Sequence, residues 1–387
     1  MMKLFRSICW KILRAGYAIT LRIGRFPVVY LKEREIVVEG NSRSEDIRKI
    51  LVVGYSPSCS LIEISIRNVF REFGYYSELF SLRTNLTFLE KGSYSRRRTV
   101  EYYSQVDLGH WLLNRRLFKK VKNEGFDLVF IPESNWAVLP ETIVDIKNKT
   151  NALVVLWECN IHIWNRHQSD CLPLYDAVFC LDSYLMPIWE TANVKRAFHL
   201  PVAVDEKMNW VPEVSDEERE FYKCDIGFVG QLYRNRVKFF EKLVDFDFKI
   251  FGPQLPSAPI SKGLEKKVVS DAISIEGKRK FYHAAQINID IQSGFLHISS
   301  SNLRLFEIVL CGGFPLVEYR KDLDPMFEIG KELICFHDAE DLIDKLDHYL
   351  SRPAKRREIA ARCRDRILRE HTIKTRMKGM IDMLLAK

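Results

Sequence analysis

Residues 49–54 read KILVVG and residues 60–76 read SLIEISIRNVFREFGYY. The first is a continuous apolar run ending in glycine, the pattern of a strand buried on both faces. The second has the period of an amphipathic helix and is closed by Gly74. The same alternation continues outward. YSELFS (76–81), FDLVFI (126–131), ALVVLW (152–157), DAVFCLD (176–182) and AFHLP (197–201) are strand candidates. Apolar strands separated by helical stretches predict a parallel sheet covered on both faces. The polar segment 82–125, rich in Arg and Tyr, reads as an insertion or a helical pair.

Residues 205–222, DEKMNWVPEVSDEEREFY, are polar and acidic and contain Pro212, which suits a linker. The alternation then restarts. CDIGFVG (224–230), FDFKIFG (246–252), AISIEG (272–277), QINIDIQ (286–292), GFPLVEY (313–319) and ELICFH (332–337) are expected strands. Helices are expected over 235–244, 278–285, 302–311 and 338–350, with a helical tail over 353–387. The resulting division is an N-terminal element over 1–35, a first α/β domain over 48–205, a second over 222–352, and C-terminal helices over 353–387. Two such domains in tandem would leave a cleft at the carboxyl ends of their strands, where open α/β sheets bind ligands.

The chain has 387 residues, enough for two domains, and 47% hydrophobic residues, enough for real cores. This excludes disordered and fibrous classes. Its net charge of +8 favours acidic partners. Lys3, Arg6, Lys11, Arg14, Arg22 and Arg25 fall in the first 25 residues, most of them on one helical stripe, with Leu4, Phe5, Ile8 and Trp10 among the apolar remainder. Such a helix over residues 1–30 can lie on an anionic membrane surface, or dock on its own protein with the basic stripe in water. No run reaches the length of a membrane span, and no signal peptide stands out, so a cytoplasmic location is expected, with the inner membrane face as a possible attachment. The nine cysteines, none in a C-x-x-C spacing, read as small buried residues of a reducing compartment. The basic residues lack the aromatic interleaving and module of a nucleic-acid reader, so no nucleic acid is expected.

Two stretches carry chemistry. In NLRLFEIVLCGGFPLVE (302–318), Asn302, Arg304 and Glu307 open an amphipathic helix. A helix N-terminus can bind phosphate, an arginine can pair with its oxygens, and a carboxylate one turn inside can accept ribose hydroxyls. The bland alternative is a capped helix with a glycine stop, in which Glu307 merely pairs with a neighbouring Arg. In CDIGFVGQLYRNRVKFF (224–240), Gly230 allows close backbone approach, and Arg234 and Arg236 offer charge for a diphosphate, although such turns are often only tight turns.

The segment 224–375 resembles the donor-binding domain of GT-B glycosyltransferases, and most of all the spore-maturation CgeB-like glycosyltransferase family. IGFVGQLYRNR, EGKRKFYHAAQINIDIQ, SSNLRLFEIVLCGGFPLVEYRKDLDPMFEIGKEL and REHT carry the resemblance in order. LWECNIHIW, YDAVFCLD and HLPVAVD resemble the family's first half more loosely. The resemblance implies a GT-B fold: two Rossmann-like domains facing across a cleft. It implies transfer of a sugar from a nucleotide-diphosphate sugar to a glycan or lipid-linked acceptor in cell-envelope or surface polysaccharide synthesis. Glu307 matches the ribose carboxylate, Arg236 a cation on the donor diphosphate, and Asn302 and Arg304 the helix start facing the phosphates. Gly252 and Gly277 fall near the base.

The sequence departs from the pattern at Ser299, where many relatives carry a second Glu, and at Gln231 and Asn160. The catalytic candidates are Glu158 and His162, near the end of a buried strand, with Glu133, His167 and the Ser56–Ser60 loop behind them. Asp245-Phe246-Asp247, entering a strand, and Asp322-Leu323-Asp324, in an expected surface loop, lack further oxygen ligands, so neither a metal nor another cofactor is expected. The alternatives are a sugar-nucleotide epimerase of the same fold and a non-catalytic nucleotide- or carbohydrate-binding scaffold.

Overall fold

The structure is a computed structural model that describes residues 18–20, 28–30, 47–54, 62–81, 105–132, 138–158, 171–191, 194–208, 211–293 and 298–386. The chain divides into two compact units. One comprises Met1–Leu181, Leu185–Leu200 and Ile381–Lys387; the other comprises Asp182–Tyr184 and Pro201–Met380.

The first unit runs β1 (Ala18–Thr20), β2 (Val28–Tyr30), β3 (Lys49–Gly54), α1 (Ile62–Glu72), β4 (Tyr76–Ser81), β5 (Gln105–Asp107), α2 (Leu108–Glu124), β6 (Leu128–Ile131), α3 (Pro140–Lys149), β7 (Leu153–Glu158), β8 (Ala177–Cys180), α4 (Met186–Thr191) and β9 (Ala197–His199). Its main sheet has the order β4-β3-β6-β7-β8-β9, with every pairing parallel. Val52, Val53, Phe70, Phe130, Trp157 and Phe179 fill its core with no exposure. This is why KILVVG and its companions are apolar throughout rather than alternating.

A small antiparallel sheet, β1-β2-β5, corrects the expected N-terminal helix at Ala18–Thr20. Ala-Ile-Thr pairs there with Val-Val-Tyr, and the β-branched and aromatic residues of these triplets favour the pleated state. The remainder of the basic stripe over residues 1–25 lies outside the described residues.

The second unit runs α5 (Asp216–Tyr222), β10 (Ile226–Val229), α6 (Arg234–Phe240), β11 (Phe248–Phe251), α7 (Lys262–Glu265), β12 (Val268–Ser270), α8 (Ile275–Ala284), β13 (Ile287–Asp290), α9 (Leu303–Leu310), β14 (Pro315–Glu318), β15 (Ile334–Phe336), α10 (Ala339–Leu350) and α11 (Pro353–Glu370); α12 (Ile373–Leu385) closes the chain. Its sheet order is β12-β11-β10-β13-β14-β15, again parallel at every pairing. Counted within the unit this is 3-2-1-4-5-6, the doubly wound order of a Rossmann sheet. Phe228, Phe240, Ile250, Ile287, Ile289, Leu316 and Phe336 form the core on one side. The fold class expected from sequence, α/β with two Rossmann-like parallel sheets, is therefore present.

Two local expectations change. AISIEG is not a strand: the Ser274 side chain accepts from the Gly277 amide and starts α8. The edge strand is instead VVS at 268–270, which is largely exposed and so carries no apolar run. Within the expected linker, Ser215 and Glu218 form a reciprocal capping box that starts α5. Cys224, Cys311, Cys335 and Cys363 are buried, and burial raises each thiol, Cys311 to about 11 and Cys224 to about 12, which makes them inert packing groups. Among the described residues no helix is long and apolar enough to cross a membrane.

Candidate functional site

In a doubly wound sheet the ligand crevice opens where the strand order reverses, outside the carboxyl ends of the two central strands. In the second unit those strands are β10 and β13. The loop after β10 begins at Gly230, the loop after β13 at Ile291, and α9 starts beside them at its cap Asn302. The corresponding point of the first unit, after β3 and β6, opens onto residues 55–61 and 133–137, which lie outside the described residues.

Gly230 has φ 149° and Gly252 has φ 153°. A Cβ at Gly252 would stand 2.0 Å from the Gly230 carbonyl oxygen, and one at Gly230 would stand 2.7 Å from Arg304 Nη2. Glycine at both positions therefore lets the β10 and β11 ends close on one another and lets the loop lie against Arg304.

Arg304 anchors this edge. Its Nη1 pairs with Asp290 Oδ1 at 2.6 Å, and its Nε donates to the Val229 carbonyl at 2.9 Å. Its guanidinium also stands over the Phe228 ring, 4.9 Å from the centroid. Asp290 is fully buried at the end of β13. Burial opposes the charge of Arg304, but Asp290, Tyr282 and Glu307 together leave its pKa raised. The arginine expected to face phosphate is thus held inward by a carboxylate that the sequence reading missed. The signal was present: Asn288, Asp290 and Gln292 alternate with Ile287, Ile289 and Ile291, a polar face inside a strand buried on both sides.

Asn302 caps α9, its Oδ1 accepting from the Arg304 amide at 2.8 Å, while its Nδ2 donates to Gln292 Oε1 at 2.7 Å. Gln292 donates its amide to Glu318 Oε2, and Glu318 pairs with Arg320 at 2.8 Å. Asn235 donates to the Gln292 carbonyl.

Arg236 is different. It is 4% exposed, its Nε donates to the Ile291 carbonyl at 2.9 Å and its Nη1 to the Gln231 carbonyl at 2.8 Å. Arg304 has Asp290 and Arg320 has Glu318, but among the described residues Arg236 has no ion pair. Burial first, and the Arg304 charge second, push it down from 12.5 to about 9. A buried guanidinium with only neutral acceptors is costly, and an anion bound at this edge would relieve the cost. Arg234, by contrast, is exposed and donates to the Ser257 carbonyl at 3.3 Å.

Glu307 lies one turn inside α9, and its Oε1 accepts from Lys278 Nζ of α8 at 2.7 Å. The partner is a lysine from another helix, which spacing along the chain could not show.

The segment before α9 is held by Asp182. This fully buried carboxylate accepts from the amides of Tyr184, Ile298, Ser299 and Ser300 and from the Ser300 hydroxyl. Asp322, expected in a surface loop, is instead buried at 4% exposure and accepts from the Ser183 amide and hydroxyl, while its own amide donates to the Ser299 carbonyl. Packing of the segment Lys321–Leu323 around Leu323, which is itself fully buried, accounts for the difference. Asp324 accepts from the Tyr319 hydroxyl at 2.7 Å, so protein donors occupy both carboxylates of this Asp-x-Asp triplet.

Of the first-unit candidates, Glu158 ends β7 and is buried. His162, Glu133, His167 and the Ser56–Ser60 loop lie outside the described residues.

A family model described as "Glycosyl transferase-like" matches residues 234–382. No match of significance was found among curated proteins. Among solved structures, the chain is similar to trehalose-6-phosphate from E. coli bound with UDP-2-fluoro glucose, at 12% identity and a TM-score of 0.63, over 88% of this chain and 99% of that one. It is similar to Anabaena Alr3699/HepE in complex with UDP and glucose, at 12% identity and a TM-score of 0.59, over 87% and 99%. It is also similar to sucrose-phosphate synthase from Thermosynechococcus elongatus, at 11% identity and a TM-score of 0.58, over 87% and 98%. These likenesses show the GT-B fold, and residues 234–382 are similar to the glycosyl transferase-like family.

Proposed function

We propose that this chain is a glycosyltransferase that binds a nucleoside-diphosphate sugar at the β10–β13 edge of its second unit and moves the sugar to a glycan or lipid-linked acceptor. The observation that carries this reading is Arg236, a buried cation at the switch point of a Rossmann sheet that has no carboxylate partner among the described residues. A diphosphate there would face Arg236, the loop amides after Gly230 and the N-terminus of α9. Its negative charge grows as the sugar departs, so the same groups would stabilise the transition state more than the ground state. Glu307 would accept the ribose hydroxyls. Glu158 is our candidate for the base, and no metal is part of the scheme. Neighbours that bind UDP and UDP-glucose support a nucleotide sugar as donor. The CgeB-like character, hexosyl transfer, a role in envelope polysaccharide synthesis and a cytoplasmic site at an anionic membrane face rest on the quoted motifs and the basic residues within 1–30.

The test is turnover. With UDP-, GDP-, dTDP- and ADP-glucose offered separately, the account expects slow release of one nucleoside diphosphate. Arg236→Ala should lower kcat/KM for that donor about tenfold or more, the cost of a lost charge-assisted bond. Release from none of the four, with a folded protein, would favour the non-catalytic scaffold.

A further inference from the structure

We infer that Lys278 is a specificity-determining residue that works with Glu307 to select ribose over 2′-deoxyribose nucleotides; this rests on the donor site proposed above. Lys278 Nζ stands 2.7 Å from Glu307 Oε1, and the two side chains are 24% and 20% exposed. The pair is therefore accessible to a ligand while both charges stay in register. Lys278 is carried by α8, whose start is fixed by the Ser274 cap. The neighbouring Lys280 is committed elsewhere, to Glu218 at 2.6 Å and Glu276 at 2.9 Å. Among the described residues, Lys278 has no partner but Glu307, and Glu307 Oε2 has no donor.

This leaves a particular set of open valences. The ammonium has three donors and uses one; the carboxylate has one oxygen shared and one open. A vicinal diol completes both. One hydroxyl donates to Oε2, and the other donates to Oε1 while accepting from Nζ. A carboxylate alone accepts from either hydroxyl and gives nothing back. Adding the ammonium makes the second hydroxyl both donor and acceptor, so its loss removes two charge-assisted contacts at once, one to each member of the ion pair. A partly exposed ion pair contributes little to stability, so changing Lys278 should leave the fold intact.

The experiment is calorimetric titration of wild type, Lys278→Met and Lys278→Arg with the pairs UDP and dUDP, GDP and dGDP, and ADP and dADP. Wild type should prefer the ribonucleotide of its donor pair by about tenfold or more. Lys278→Met should bring that ratio below about threefold, and Lys278→Arg, which keeps the charge and donors, should restore much of it. Equal weakening of both members in Lys278→Met, or an unchanged ratio, would overturn the inference while leaving the donor site standing. Failure of every ribonucleotide to bind wild type would overturn the donor site and this inference together.

Discussion

Replacing Asp182 by alanine is expected to destabilise the second unit by about 4 kcal/mol or more, from the cost of orphaned buried donors. Asp182 is fully buried and accepts four amides and one hydroxyl, at 2.7–3.2 Å. Each donor left unsatisfied costs about 1–3 kcal/mol, reduced where water can enter. Ile298–Ser300 also carry the contacts from Arg320 and Asp322, and Asn302, the cap of α9, follows two residues later. Asp182→Asn separates shape from chemistry: it keeps one acceptor oxygen but turns an NH2 toward amides that can only donate. Both variants should expose the α9 amides to hydrogen exchange far faster than wild type, since they lose the anchor of the segment preceding that helix. A change below about 1 kcal/mol in either variant would mean that the segment is held by something other than this carboxylate.

Acidification is expected to remove about 3 kcal/mol from the same unit between pH 6.5 and pH 4 through one residue, His371. This imidazole is 4% exposed, packs edge-on against Phe306, and sits beside Phe327. Its Nε2 lies 3.0 Å from the Met326 carbonyl and its Nδ1 lies 2.8 Å from Arg376 Nη2. The neutral tautomer with the proton on Nε2 donates to the first and accepts from the second. Burial, reinforced by Arg376 and opposed by the bond to Met326, lowers the pKa from 6.5 to about 4. The unfolded chain therefore binds more protons than the folded one in that window. The contribution is fully present above pH 6.5 and is lost as pH falls toward 4. Thermal melts at pH 7 and pH 4.5 should differ strongly in wild type and much less in His371→Gln. An identical pH dependence in the two would assign acid sensitivity to other groups.

The architecture was readable because both sheets are parallel and buried. KILVVG, AVFC and INID stand out as short runs between helical periods, and their order alone gives two doubly wound units. The edge strand was not readable for the converse reason. Val268–Ser270 is mostly exposed and needs no apolar run, while AISIEG imitates one and is in fact a loop leading through the Ser274 cap into a helix. The site was half legible. Glycines at positive φ and arginines near strand ends could be found by position, and Arg236 and Arg304 do lie at the switch point. Their division of labour could not be found that way. Asp290 claims Arg304 and leaves Arg236 without a counter-ion among the described residues, Lys278 reaches Glu307 from another helix, and Asp182 binds a segment far along the chain. Each is a pairing across the fold, set by packing rather than by spacing.

In the function proposed above, Arg236 receives the phosphates of a nucleotide. The most direct test of this is calorimetric titration of wild type and Arg236→Ala with the nucleoside, monophosphate and diphosphate of each base. The account predicts that, for one base, wild-type affinity climbs with each phosphate, and that Arg236→Ala flattens this climb by about tenfold or more while binding the bare nucleoside as wild type does. Affinity that ignores the phosphates in wild type, or that climbs equally in the variant, would contradict it.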